Sequence, residues 1–396
     1  MFNGIFFVLK KSYQFTPISN CLLGLVFGVT YIAGAVSAGP LTRWLTSRGV
    51  SARALLAWLM VMAALLNGLP VLAWYGFSVE ARPSTAWMMW VFSALYSALS
   101  GIMWPVVESY LTGGRTNAQV RKATGIFNVT WSTALVASLL VLARFNEDHK
   151  IAAFGLVAVT HIGCLAFLLY FPKQPGAHEH VAERNTPTVY TQLLSVHRVL
   201  LPMTYLVMYA LGPLQPQIMS SIGIADNMQE TAGATWLAAR VITFLTLGLW
   251  QSWHGRWFTP VIGMTLLITG FAACVLAPLL GATPTAIATF LAGLTAFGLG
   301  AATIYSAALY YALEVGSAQV DAGGTHEAMI GLGYTIGPIC SLLPLAAVSA
   351  GMISKDAGNP ATLALTGALV AIGLIHAVRT KNKRLSLASC RQDPSP

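Results

Sequence analysis

Charge is what this sequence lacks most. Only 9% of its 396 residues are Asp, Glu, Lys or Arg, against about 25% in an ordinary globular chain, which excludes a fold wrapped in a charged, water-facing shell. Long polar stretches are just as scarce, with a single interior example at residues 172–198 (PKQPGAHEHVAERNTPTVYTQLLSVHR). Cysteine is sparse and has no spacing motif. Cys21, Cys164, Cys274 and Cys340 fall inside apolar runs, where they read as buried thiols and not as disulfides or metal ligands. No basic cluster is interleaved with aromatics, so the formal charge of +9 does not describe a nucleic-acid face. Nor does any nucleophile stand beside a base or a cofactor loop, so neither an enzyme nor a cofactor is expected. The start carries no basic leader or small-residue cleavage site of a removable signal.

What fills the chain is apolar. Hydrophobic residues make up 56% and mean hydropathy is +0.67. The runs approach the roughly 20 residues a membrane-spanning helix needs. Their length argues for helices over an outer-membrane barrel, whose strands alternate in segments of about 10 residues. The pattern predicts an all-α integral membrane protein. Spans are expected at 18–41, 53–75, 85–111, 122–145 and 151–171, then at 199–222, 228–253, 258–280, 284–313, 326–350 and 360–378. This gives two comparable bundles, 1–171 and 199–378, with 172–198 as a water-exposed linker and 379–396 as a tail.

Two observations test that arrangement. If the spans alternate, fifteen of the 22 Lys and Arg residues fall on one side, among them Arg48, Arg53, Arg115, Arg121, Lys173 and Arg256, and six on the other. The positive side is cytoplasmic in inner or plasma membranes, which places the linker and the C-terminus there. The first residues fit less well. Residues 2–9 make half a span, and a helix cannot begin in mid-membrane with unsatisfied amides. Either the first part of the opening helix is missing, which is the preferred reading, or this is an eleven-helix form.

The two bundles also look like copies. WLTSRGVSARALL and WQSWHGRWFTPV pair Gly49 with Gly255 at an offset of 206, and GIFNVTWSTA aligns with MIGLGYTIGP, pairing Asn128 with Gly331 and Trp131 with Tyr334 at 203. Together with WPVVESYL and RKATGIFNVTWS, and with YYALEVGSAQVDAGGTHEAMIGLGYTIGP, these stretches resemble the major facilitator superfamily along nearly the whole chain. The resemblance implies two pseudo-symmetric six-helix bundles and secondary transport by alternating access, with a site between the bundles near the bilayer midplane. The family's loop signature survives only as Ser47, Arg48, Gly49 and Arg53. Thr46 stands where its Asp is expected, so Arg48 and Gly49 are gating candidates without the Asp latch.

Few residues within the spans can carry chemistry. Arg240 lies mid-span in WLAARVITFLTL, where a lone Arg costs about 2.5–3.5 kcal/mol and needs a partner or a wet cavity. It reads as an anchor for an anionic solute, or as a structural ion pair. Glu108 is the first bundle's one carboxylate in an apolar run. It reads as a proton carrier, or as a partner of Arg115, Arg121 or Lys122. His326 and Glu327 open a predicted helix, where capping competes with gating; Ile330 stands where a zinc protease would need its second His. GPLQPQ breaks a helix at Gly212, Pro213 and Pro216, bringing in Gln215 and Gln217. The resemblance implies that Tyr96, Ser100, Trp104, Tyr205, Tyr209, Tyr305 and Tyr310 face the cavity, and aromatic packing is the competing reading. Asn128 and Trp131 share a helix face, though a neutral Asn also serves as interhelical glue. His178 and His180 lack a third ligand for a metal. The expected activity is movement of a small polar solute, an anion among the candidates, with proton coupling an option. Lipid is the only other expected partner and a monomer the expected state. The competing reading is a receptor-like or partner-binding protein that does not transport.

Overall fold

A computed structural model describes residues 2–115, 117–146, 149–176, 187–315 and 320–392, and every regular element among them is helical. The first half contains α1 (Phe2–Tyr13), α2 (Pro17–Ser47), α3 (Ala52–Gly76), α4 (Ala86–Thr112), α5 (Asn117–Leu142) and α6 (Ala152–Leu168). The second contains α7 (Thr188–Leu211), α8 (Gln215–Ser221), α9 (Gln229–Leu249), α10 (Phe258–Leu276), α11 (Pro284–Val315), α12 (Val320–Ser349) and α13 (Lys355–Gln392). Among the described residues, ten helical segments are long and apolar enough to cross a membrane, with α7 and α8 counted as one broken span. The apolar α6 is 17 residues long and α1 is 12.

Local chemistry sets the ends. Thr16 accepts a hydrogen bond from the Ser19 amide and Pro17 occupies the first turn of α2. Ser51 does the same for α3 through Ala54. Gly49 closes the α2–α3 turn at φ +82° and Gly255 the α9–α10 turn at φ +72°, a conformation L side chains rarely adopt. The repeat seen in sequence therefore reproduces a backbone requirement in both halves. Pro213 and Pro216 lack amide hydrogens, and the chain passes through a 3-10 turn at Gly212–Leu214 between α7 and α8.

The halves meet along two seams, α2 against α12 and α5 against α9. The first seam is tight because small residues line it: a Cβ on Gly28 would sit 2.4 Å from the Thr335 amide nitrogen. Two ends can be told apart by their side chains. At one, Lys10 and Lys11 at the close of α1 reach α8 and the α8–α9 turn. At the other, Arg53 binds the Phe171 carbonyl at 3.0 Å and Arg121 pairs with Glu314 at 2.6 Å.

Of the boundaries that differ from the sequence expectation, three change how the polar residues are placed. The polar linker ends before Thr188 and not at Arg198, because α7 begins eleven residues early and seats Leu193, Leu194 and His197 against Trp253 and Tyr311. Burial of one helical face outweighs the run's polar composition. Helix α12 begins at Val320, so His326 and Glu327 lie inside it and not at its cap. The tail continues α13 as far as Gln392.

Candidate functional site between the two halves

A cavity of about 120 Å³ lies where α2, α4 and α5 face α7, α9, α11 and α12. Eight of its fourteen lining residues are aromatic and three are charged: Arg240, Glu108 and Glu327. Arg240, on α9, is 2% exposed. Its guanidinium lies 4.7 Å from the Trp131 ring centroid, 5.3 Å from Trp236 and 5.6 Å from Phe244. Ring faces thus offset part of the cost of burying the charge. Another contact is a hydrogen bond donated to the Tyr205 hydroxyl, while Nε has no hydrogen-bond partner. A buried donor left unpaired on an ionised group is costly, and the residue that carries it lines the cavity.

Opposite charge faces it from other elements. Glu108 of α4 and Glu327 of α12 are hydrogen-bonded to each other, and Tyr31 of α2 donates its hydroxyl proton to Glu327 Oε2. His326 completes a group whose ligand atoms all lie within 4.8 Å, and its Nε2 has no partner. The spacing is one that could hold a metal ion, but here the two carboxyl groups bond to each other and Glu327 also to Tyr31. A hydrogen bond between two carboxyl groups needs one of them to donate, so the pair in this arrangement has a place for a proton.

The two ends of the cavity are built differently. Toward the Arg121 end lies a vestibule of about 550 Å³, lined by Arg121, Thr124, Asn128, His254 and Tyr310 among others. Trp131, Phe244 and Tyr305 stand between the two volumes as a triad, with ring centroids 5.8, 5.8 and 5.9 Å apart. At the other end the seal is ionic. Lys150, before α6, and Glu230, in the first turn of α9, are paired with their side chains 1% and 0% exposed, and Lys11 lies 3.8 Å from the same carboxylate. Lys10 adds bonds to the Pro216 carbonyl at 2.8 Å and the Ser220 hydroxyl at 2.5 Å. All three lysines belong to the first half and every acceptor to the second.

Two membrane bundles around a charged cavity, sealed differently at each end, are the architecture of a known family. The sequence matches the family model described as Major Facilitator Superfamily over residues 1–338. The chain belongs to the major facilitator superfamily. Solved structures agree on the fold. The bacterial homologue of the human lysosomal transporter Spinster, in an inward-facing and occupied conformation, superposes with a TM-score of 0.57 at 11% identity, covering 97% of this chain and 93% of that one. The human organic anion transporter MFSD10 (TETRAN) gives 0.61 at 13% identity, covering 95% and 89%. The nucleoside transporter NupG gives 0.55 at 14%, covering 97% and 96%. No curated protein sequence matches the chain. Family membership, with the apolar spans, makes the chain a multi-pass membrane protein of a transporter superfamily.

Within this superfamily fold the predicted site residues separate. Arg240, Glu108, Trp131, Tyr209, Tyr305 and Glu327 line the central cavity, joined by Trp104 and Tyr205. Glu108 faces Glu327 and not the basic loop suggested by its place in the sequence: Arg121 binds Glu314 and Arg115 donates to the Tyr110 carbonyl. Asn128 borders the vestibule and accepts a hydrogen bond from Trp131 Nε1 at 3.2 Å, so it positions that ring. Tyr310 lies in the vestibule as well. Tyr96 stacks on Phe92 and Ser100 donates to the Tyr96 carbonyl, so both are packing. Gln215 lines a separate void of about 20 Å³. Gln217 is exposed and the freed Pro216 carbonyl is taken by Lys10, so the broken helix offers these groups to the latch and not to the cavity. Arg48 and Gly49 sit at the end of α2, where the Arg48 guanidinium lies 3.8 Å above Trp44. His178 and His180 lie outside the described residues. Sequence reasoning missed Tyr31 and the Lys150–Glu230 latch. Glu230 had a usable signal: it is an acid one residue into an apolar span that begins at Gln229.

Proposed function

We propose that the protein carries a small organic anion across the inner membrane by alternating access, together with one proton. One observation carries this reading: Arg240 is buried at the interface of the halves, lines the cavity, and has an Nε with no hydrogen-bond partner. The charge count supports the coupling. With one proton shared by Glu108 and Glu327, the cavity's three charged groups sum to zero. A bound anion would leave one unbalanced negative charge, and an uncompensated buried ion costs several kcal/mol. A second proton on the carboxylate pair restores neutrality, so anion and proton travel one to one. The groups facing the pair are Tyr31 from α2, Tyr205 from α7, Arg240 from α9, Tyr305 from α11 and His326 and Tyr334 from α12, and Arg240 is the only cation among them. The Arg121 end carries the excess of Arg and Lys and is therefore taken as cytoplasmic. The vestibule parts the halves there, and the ion latch holds the other end shut.

The test is uptake by purified protein in proteoliposomes with an entrapped pH dye and a clamped membrane potential. Acetate, butyrate, benzoate and succinate serve as probes. At least one monoanion should move with acidification of the receiving compartment, and Arg240→Ala should abolish this while leaving yield and melting temperature unchanged. Anion movement without protons would remove the coupling. No movement of any probe, or full activity in Arg240→Ala, would remove the reading.

A further inference from the structure

The same cavity narrows the class of anion, and this step rests on Arg240 being the anchor. We infer that the ligand is a flat aromatic ring bearing a single carboxylate. Three observations converge. First, the faces of the Arg240 guanidinium are covered by the Trp131, Trp236 and Phe244 rings, so it can offer a ligand only the N–H groups of its edge. The guanidinium edge formed by Nε and an Nη is a side-on fork that fits the two oxygens of one carboxylate, and its Nε has no hydrogen-bond partner within the protein. Second, Arg240 is the only cation lining the cavity among the described residues. A second negative charge on the ligand would therefore find no partner and would be repelled by Glu108 and Glu327. Dianions and phosphate esters are disfavoured on that ground. Third, the remaining wall is ring faces and ring edges contributed by both halves, Trp104 and Phe127 from the first and Tyr205, Tyr305 and Tyr334 from the second. These rings already meet one another at stacking and edge-on separations, Tyr209 and Tyr334 at 3.9 Å and Trp104 and Phe127 at 6.0 Å. A flat ring inserted among them gains offset-stacked or edge-to-face contacts that a saturated ring of the same size does not. A volume of about 120 Å³ is the size of one such ring.

Isothermal titration calorimetry on the purified full chain in detergent tests this. The probes are benzoate, cyclohexanecarboxylate as the saturated acid of similar size, benzamide as the uncharged analogue, phthalate as the dianion and benzylammonium as the cation. Benzoate should bind at least tenfold tighter than cyclohexanecarboxylate, with no detectable heat from benzamide or phthalate. Trp104→Leu, which leaves the Arg240 contacts in place, should narrow the benzoate advantage to threefold or less. Equal or tighter binding of cyclohexanecarboxylate overturns the aromatic assignment while leaving Arg240 as an anion anchor. Binding of neither acid, or tighter binding of benzylammonium, overturns this inference and the anion reading with it.

Discussion

Replacing Glu230 with Gln should unlock the end of the molecule that the lysines hold shut. The carboxylate is fully buried and holds Lys150 directly, with Lys11 3.8 Å away. At that distance two unit charges attract by about 4 kcal/mol for an effective dielectric constant of about 20. Removing one partner of a buried pair typically costs about 3–5 kcal/mol, because the other charge is left without compensation. Here two ammonium groups lose the same carboxylate at once, and they repel each other. In a conformation open at this end all of them face water and lose little, so the cost falls on the closed state alone. A shift of 3 kcal/mol, the lower bound, changes the closed-to-open ratio by roughly a hundredfold. Gln215 provides the readout, since it is buried beside Pro216, whose carbonyl Lys10 binds, and lines the small void next to Phe6 and Tyr209. In a background with the native cysteines replaced, Gln215→Cys should react slowly with a membrane-impermeant maleimide added on the Lys150 side. Adding Glu230→Gln should accelerate labelling at least tenfold. Exchanging the pair, Lys150→Glu with Glu230→Lys, should slow it again. If Glu230→Gln melts at the parental temperature and labels at the parental rate, the pair is not a latch.

Two further substitutions probe the centre. Glu108→Gln removes one of the two carboxylates proposed to share a proton, so anion uptake should lose its acceleration by acid on the loading side and become flat with pH. Uptake that keeps its pH dependence would move the coupling group elsewhere. Gly28→Leu places a side chain where even a Cβ would lie 2.4 Å from the Thr335 amide; overpacking of this kind costs about 1–3 kcal/mol. The melting temperature should fall and labelling of Gln215→Cys from the Lys150 side should rise as the α2–α12 seam is wedged apart, while an unchanged rate would show that this seam stays closed in transport.

The sequence made the solvent legible before anything else, because apolar runs near 20 residues with so few charges have no other stable environment. It also made Arg240 legible, since a cation in the middle of a span must be partnered or wet. The repeat pairs at offsets of 206 and 203 were legible because backbone geometry demands glycine at Gly49 and Gly255, and because Trp131 and Tyr334 both face the same cavity. What stayed hidden shares one property: its meaning depends on contacts between residues far apart in the chain. Glu108 meets Glu327 across 219 positions, so its neighbours in sequence, Arg115, Arg121 and Lys122, were misleading partners. Lys150 looked like an ordinary loop cation until Glu230, 80 residues away, turned out to be buried against it. His326 and Glu327 looked like a helix cap because polar residues usually sit at ends. In a bundle that encloses a polar cavity, the interior of a span is also a place where charge is stable, provided an opposing half supplies its complement.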